Sequence, residues 1–209
     1  MLLLSHERVH SSVSILNTTL GLVAISEPIS ILPLIYKISN REPSKVKLIS
    51  RVSSLTYLIT MLLSCWFGRE LLSVIGVTIY SFKITGGLIL LPIGLRLIEG
   101  QGMISTSGLR GENVHAFAHI PIGIPLLAGP AAISLVIPED GTSMGTKITL
   151  SVIVILIATL IYSVFNLSLL LRDLINERFI ETVNQFIGML LIAIAVQMTI
   201  SGIRAVMAA

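Results

Sequence analysis

Long uncharged stretches alternate with short polar segments along the chain, and this pattern predicts membrane-spanning helices. A helix needs about 20 mostly apolar residues to cross the hydrocarbon core of a bilayer. Six stretches meet this requirement when basic residues at their ends reach the membrane surface. We number them spans 1 to 6, and they cover roughly residues 13–36, 49–67, 79–98, 119–137, 148–170 and 183–203. Span 1 lacks a small-residue cleavage site, so we interpret it as a spanning segment and not as a signal peptide.

The composition narrows the class of protein further. Of the 209 residues, 54% are hydrophobic and only 12% are charged, whereas a soluble domain carries about 25% charged residues. The net charge of +3 forms no basic face, which argues against a nucleic-acid partner. The single cysteine, Cys65, excludes an internal disulfide and a cysteine-based zinc site. We therefore expect an all-α integral membrane protein, a single polytopic domain over residues 1–209, whose partner is the lipid bilayer.

The distribution of basic residues predicts the orientation. Lysine and arginine accumulate in cytoplasmic loops, and the loop from Lys37 to Arg51 holds five of them. Nine of the 14 lysines and arginines lie in the loops after spans 1, 3 and 5 or at the span ends next to them. We therefore place these loops in the cytoplasm and both termini outside it. For a bacterial cell, this predicts a multi-pass inner-membrane protein with periplasmic termini.

The two halves of the chain resemble each other. Pro28 aligns with Pro130, Arg69 with Arg172 and Gly87 with Gly188, at offsets of 102, 103 and 101 residues. The alternative is a chance alignment of leucine-rich and isoleucine-rich segments. A true repeat would place residues of about 13–98 and 115–203 in two units of three spans, which cross the membrane in opposite directions. Inverted repeats of this kind are typical of secondary transporters, whose solute site lies between the halves near the bilayer midplane.

Prolines interrupt spans 1 and 4 at corresponding positions. Such breaks free backbone polar groups, which must face the protein interior or a water-filled cavity. Ordinary proline kinks are the alternative, but span 1 also contains a carboxylate deep in an apolar stretch, a costly feature that is usually functional. If the halves form an inverted repeat, the two prolines should lie close together. The candidate solute-binding residues are those at the breaks and one amide in span 6: Ser26, Glu27, Pro28, Ser30, Gly129, Pro130, Ala131 and Gln197.

Two histidine pairs are the remaining candidates for chemistry. His6 and His10, like His115 and His119, are four residues apart, a spacing that presents two imidazoles on one helix face. No carboxylate completes a known metal motif with either pair, so we interpret both as solvated. The chain also lacks hydrolase, nucleotide-binding and dinucleotide-binding motifs. We expect no enzyme activity, no metal and no cofactor other than a coupled ion, H⁺ or Na⁺.

Four segments resemble the MarC family of bacterial and archaeal inner-membrane proteins. They are Glu27-Pro28, the ITGGL sequence at 84–88, the PIGIPLLAGPAAI sequence at 121–133, and the GMLLIAIAVQ sequence at 188–197. The resemblance runs from about Gly21 to Ile203 in the same order and spacing, and IPLLAGPAAI is its most specific part. The family usually has Asp or Asn where this chain has Glu27, which keeps the acidic character but moves the carboxyl group by one methylene.

The resemblance implies six spans with both termini outside the cytoplasm. Some members of the family are classed as transporters or exporters of small neutral amino acids such as glycine and alanine. Our hypothesis is therefore a secondary transporter of a small zwitterionic solute, with Glu27 receiving its ammonium group or a coupled proton. The backbone groups freed at the breaks would receive its carboxylate. The alternative is a non-transporting inner-membrane scaffold or envelope-stress protein, in which Glu27 and the breaks are structural.

The orientation can be tested with topology reporters. A reporter fused after Ala209 should report a periplasmic location, and one inserted next to Lys45 should report a cytoplasmic location, because the basic first loop is retained inside. Alkaline phosphatase and green fluorescent protein fusions measure the two states. The reverse pattern would overturn the charge-based orientation.

Overall fold

The computed structural model is helical throughout the residues that it describes, which are 18–26, 28, 31, 32, 35, 42–100, 127–138, 144–171 and 177–208. Helix α1 covers residues 18–26. It is followed by α2 (Pro43–Ile75), α3 (Ile79–Ile98), α4 (Pro130–Val136), α5 (Met144–Leu171) and α6 (Glu177–Ala208). Within the described ranges, four helices are long and apolar enough to cross a membrane: α2, α3 and most of α5 and α6.

Local sequence signals set the ends of the long helices. Helix α2 begins at Pro43, whose missing N–H is not needed in a first turn. It ends at Gly76, which has a φ of 76°, and the Val77 N–H donates to the Leu72 carbonyl at 2.9 Å, as in a Schellman cap. Thr78 then caps α3 by accepting from the Ser81 N–H at 3.1 Å. The prediction for span 3, 79–98, matches α3, whereas α2, α5 and α6 extend beyond spans 2, 5 and 6.

A surface ion pair marks the start of α2. Lys45 Nζ lies 2.7 Å from Glu42 Oε2, and Ser44 Oγ donates to Glu42 Oε1 at 2.9 Å. The hydrogen bonds from Lys45 and Ser44, together with the charge of Lys45, lower the pKa of Glu42. Because Glu42 is fully solvated, this pair orders the entry into α2 but contributes little to stability.

The helices pack in pairs that are distant in sequence. Helix α2 packs against α5, α3 packs against α6, and the short α4 packs against α3 and α2. Two side-chain contacts join α2 to α5 near the end of α2. The Trp66 Nε1–H donates to Ser151 Oγ at 3.1 Å, and Lys147 Nζ donates to the Trp66 carbonyl at 3.2 Å. Near the start of α2, Asn166 Nδ2 donates to Ser50 Oγ at 2.7 Å.

The pairing of α3 with α6 depends on glycines. A Cβ atom on Gly87 would lie 2.6 Å from the Ala195 carbonyl oxygen, and one on Gly94 would lie 2.9 Å from the Gly188 carbonyl oxygen. A Cβ on Gly202 would likewise lie 3.0 Å from the Tyr80 carbonyl oxygen. The two backbones therefore touch over most of the length of α3. Small residues allow this close approach, which membrane helices need because lipid provides no hydrophobic drive for association.

Replacing Gly87 with alanine should separate α3 from α6. The added methyl group would collide with the side chain of Thr199 and with the backbone carbonyl of Ala195, which cannot rotate away because it belongs to α6. We expect a loss of about 1–3 kcal/mol in the free energy of unfolding. Reversible unfolding in mixed detergent micelles measures this loss.

Leu88→Ala is the control for this substitution. Leu88 is the next residue on α3, and its side chain is 60% exposed. Its truncation should change the free energy of unfolding by less than about 0.5 kcal/mol in a lipid-like environment. Equal effects of the two substitutions would contradict the close contact at Gly87.

Candidate functional site

Within the described part of span 4, the α-helix begins at Pro130. Leu127 lies in a π-helical turn, Ala128 in a bend, and Gly129 is extended, with φ −69° and ψ 170°. Helix α4 starts at Pro130, and its first turn closes when the Ile133 N–H donates to the Gly129 carbonyl at 3.0 Å. The predicted interruption of span 4 is therefore present, and Ala128 and Gly129 are both buried.

Span 1 contains turns as well as helix within the described residues. Helix α1 continues to Ser26, Pro28 lies in a turn and is buried, and Ile31 lies in a further turn. The Ile35 N–H donates to the Ile31 carbonyl at 3.0 Å, so helical hydrogen bonding resumes there. Two predicted site residues, Glu27 and Ser30, lie outside the described residues, as do all four histidines.

The break in span 4 lies against the backbone of α3. A Cβ atom on Gly86 would lie 3.0 Å from Ala131 Cα and 3.3 Å from the Ala131 N atom. Ala131 is fully buried by this contact. The backbone that follows the break is therefore surrounded by protein, as irregular or interrupted helices in a membrane require.

Helix α1 reaches the same region. A Cβ atom on Gly21 would lie 3.1 Å from Leu135 Cδ1 of α4. Spans 1 and 4 therefore lie side by side, with α3 behind the break of span 4. The distance between Pro28 and Pro130 remains a prediction.

Buried hydroxyl groups surround these segments. Ser26 and Tyr57 are fully buried, and Ser26 Oγ donates to Tyr57 Oη at 3.2 Å. Ser134, which is also buried, donates to the Ala131 carbonyl of its own helix at 2.7 Å. Two hydroxyls that share one hydrogen bond use only one of their two protons. One hydroxyl proton of the Ser26–Tyr57 pair is therefore left for another acceptor.

Gln197 lies elsewhere. Its side chain is exposed on α6, on a different face from Ala195 and Met198, which are buried. The structure places Ser26 and Pro28 in the described part of span 1, Gly129, Pro130 and Ala131 in the described part of span 4, and Gln197 on the exposed side of α6. That the residues at the two breaks form one site remains a prediction. Among the described residues, no group of three or more His, Cys, Asp or Glu side chains lies close enough together to hold a metal ion.

Comparison with known proteins identifies the family. The model of the MarC family of integral membrane proteins matches residues 12–207. This chain belongs to the MarC family.

The curated relatives are membrane proteins of similar length. One from the archaeon Methanocaldococcus jannaschii is 27% identical over 190 residues, which cover 88% of this chain and 93% of the relative. Another from Aquifex aeolicus is 27% identical over 195 residues, covering 88% and 90%. The membrane protein YhcE of Escherichia coli is 24% identical over 195 residues, covering 90% of each. No solved structure matches this MarC protein.

Tyr57 is the residue that sequence reasoning missed. It lies inside apolar span 2 and follows Ser50, Ser53 and Ser54 at helical spacing, so that one face of α2 carries four buried hydroxyl groups. This spacing of i, i+3, i+4 and i+7 was a signal available in the sequence. Its partner was not, because Ser26 is 31 residues away along the chain.

The pair formed by Ser26 and Tyr57 can be tested by a double-mutant cycle. Ser26→Ala leaves the buried Tyr57 hydroxyl without its partner and should cost about 1–3 kcal/mol of unfolding free energy. Tyr57→Phe should cost less, about 0.5–1.5 kcal/mol, because Ser26 can turn to a carbonyl of its own helix. The double variant should then be more stable than the sum of the single losses implies.

Tyr162→Phe is the matched control for the cycle, because Tyr162 lies on α5 with its side chain 38% exposed. Its loss of a hydroxyl should change the unfolding free energy by less than about 0.5 kcal/mol. Additive losses at Ser26 and Tyr57 would contradict a direct interaction between them.

Proposed function

We propose that this MarC protein is a secondary transporter of a small zwitterionic solute, a neutral amino acid of the size of glycine or alanine. The observation that carries this proposal is the helix break at Gly129-Pro130, which is buried against the backbone of α3 next to α1. Peptide groups released from helical hydrogen bonding inside a membrane protein are suited to bind ions and zwitterions.

The residues at the break favour a small solute. Ala128, Gly129 and Ala131 bring no bulky side chain to it, and Gly86 of α3 packs directly on Ala131. A solute in this region would contact main-chain atoms directly, since glycine has no Cβ to hold it away. Large side chains on the solute would collide with α3, so the proposal is restricted to amino acids with short side chains.

Polar groups are available for both ends of the solute. The hydroxyl proton that the Ser26–Tyr57 pair does not use can donate to a carboxylate. Glu27 follows the buried Ser26 and precedes the buried Pro28 in the chain, and its carboxylate would accept an ammonium group or carry the coupled H⁺ or Na⁺. The positive charge of the solute or the ion would offset the cost of a carboxylate within the membrane.

The contacts between α3 and α6 support the further proposal of six spans in two inverted repeats. At the offset of 101 residues, Gly87 corresponds to Gly188 and Gly94 corresponds to Ala195. If each residue of the Gly87–Ala195 contact is replaced by its repeat counterpart, the result is the contact between Gly188 and Gly94. The structure contains both contacts. Two antiparallel helices whose contacts are exchanged in this way are related by a local two-fold axis, as spans 3 and 6 of an inverted repeat would be.

Location and orientation complete the proposal. The protein would lie in the inner membrane of a bacterial cell, with both termini on the periplasmic side. The excess of basic residues in the loops after spans 1, 3 and 5 supports this orientation. No catalytic step is part of the proposed mechanism, in which the solute crosses unchanged.

Solute flux into proteoliposomes tests the proposal. Purified protein should accumulate or exchange radiolabelled glycine and L-alanine, and should discriminate against L-leucine and L-glutamate. Glu27→Gln should reduce the rate at least about tenfold, because the amide keeps the shape of the side chain and removes its charge.

Glu42→Gln is the matched control, because it makes the same chemical change at a solvated carboxylate outside the membrane. It should leave the flux unchanged. If no solute of the panel moves in counterflow, or if Glu27→Gln transports normally, the transporter assignment is wrong. A folded protein without flux would instead favour the scaffold or envelope-stress alternative.

A further inference from the structure

Helix α6 carries two seams of residues at alternating spacings of three and four. The inner seam packs on α3 and consists of buried residues: Gly188, Leu191, Ala195, Met198 and Gly202. The outer seam follows the same heptad spacing on another face and is exposed throughout: Phe186, Leu190, Ala193, Gln197, Ile200 and Arg204. Heptad spacing is the pattern by which two helices pack along their length.

Gln197 distinguishes the outer seam from an ordinary lipid-facing surface. It lies six residues before the end of span 6 at residue 203, so it is about 9 Å inside the membrane boundary at 1.5 Å per residue. Exposed hydroxyls within span 5 satisfy themselves, since Thr159 donates to the Ile155 carbonyl at 2.9 Å and Ser163 to the Thr159 carbonyl at 2.8 Å. No hydrogen bond of the Gln197 amide occurs within the described part of the chain.

Lipid acyl chains cannot provide hydrogen-bond partners for the Gln197 amide. A carboxamide has two N–H donors and one carbonyl acceptor, and the acyl chains at this depth offer neither. An amide moved into hydrocarbon without hydrogen bonds costs several kcal/mol. The amide therefore requires a polar partner that approaches α6 from outside the α3–α6 pair.

We propose that the outer seam of α6 is a dimer interface, and that its occupant is α6 of a second copy of this chain. A carboxamide is self-complementary, because its donor matches the acceptor of an identical group. Two copies inserted with the same orientation are related by a two-fold axis along the membrane normal. The two outer seams then run parallel, and each Gln197 meets the Gln197 of the other copy.

The neighbours of Gln197 fit this arrangement. Ala193 lies one turn before it and permits close approach of the two backbones. Leu190 and Ile200, each 42% exposed, flank these two positions with apolar side chains. A single polar residue within an apolar heptad seam fixes the register and the number of helices in a coiled coil. Gln197 is the polar residue of the outer seam within span 6, and Arg204 lies just beyond the end of the span.

Oligomeric state in liposomes tests the interface without reference to any transport activity. Single-molecule photobleaching of fluorescently labelled protein, over a range of protein-to-lipid ratios, gives the dimerisation constant. Gln197→Leu should weaken dimerisation on the order of tenfold, because it removes the interhelical amide pair. Gln185→Leu is the matched control: Gln185 is exposed near the start of α6, outside the seam, and its substitution should leave the constant unchanged.

Cysteine cross-linking in native membranes identifies the contacting face. Cys65 is buried, so an introduced cysteine is the reactive thiol. Ala193→Cys should form a disulfide-linked dimer with copper phenanthroline. Leu156→Cys, at a side chain of α5 that is 63% exposed, should not.

The following outcomes would overturn the proposed dimer interface on α6. A wild-type protein that is monomeric at every ratio excludes the dimer. A dimer that is insensitive to Gln197→Leu and is not cross-linked at residue 193 uses another face. Cross-linking of residue 193 to a different protein, or within one chain, assigns the outer seam to another occupant.

Discussion

The rest of the structure depends on backbone contact between α3 and α6. Lipid is as apolar as the helix surfaces, so helices in a bilayer associate through close packing and not through the hydrophobic effect. Gly87, Gly94, Gly188 and Gly202 remove the side chains that would otherwise separate the two helices. This contact fixes α3 in place, and α3 in turn provides the surface on which the broken span 4 lies.

Two adjacent glycines allow α3 to pack closely on two helices, α6 and α4. Successive residues of a helix point about 100° apart, so Gly87 faces α6 while Gly86 faces Ala131 of α4. The contact of Gly86 with α4 is made by backbone atoms, because a Cβ on Gly86 would lie 3.0 Å from Ala131 Cα. Glycines of α3 therefore allow close backbone approach on both sides, to α6 and to α4.

Polar groups inside the membrane are paired in two ways. Hydroxyls such as those of Thr159 and Ser163 donate to carbonyls of their own helix, whereas Ser50 donates to the Tyr162 carbonyl of α5. Among the described residues, the Ser26–Tyr57 pair has a proton to spare, Arg96 Nε is buried without a partner, and the Gln197 amide makes no hydrogen bond. The proposed partner of the first is a solute, and that of Gln197 is a second copy.

Properties that depend on neighbouring residues could be predicted from the sequence alone: the apolar length of spans 2, 3, 5 and 6, and a helix that starts at Pro130, because proline needs no N–H partner in a first turn. A proline alone does not decide where a helix breaks, since Pro92 lies inside α3. The segments resembling the MarC family gave the family, which the family match confirms. The tertiary structure decided the rest. A glycine in the sequence indicates that another helix can approach closely, but it does not say which one. Only the tertiary structure shows that Gly87 contacts α6 and that Gly86 contacts α4. The same holds for Tyr57, whose partner is 31 residues away, and for Gln197, whose outward direction follows from which face of α6 the glycines bind to α3.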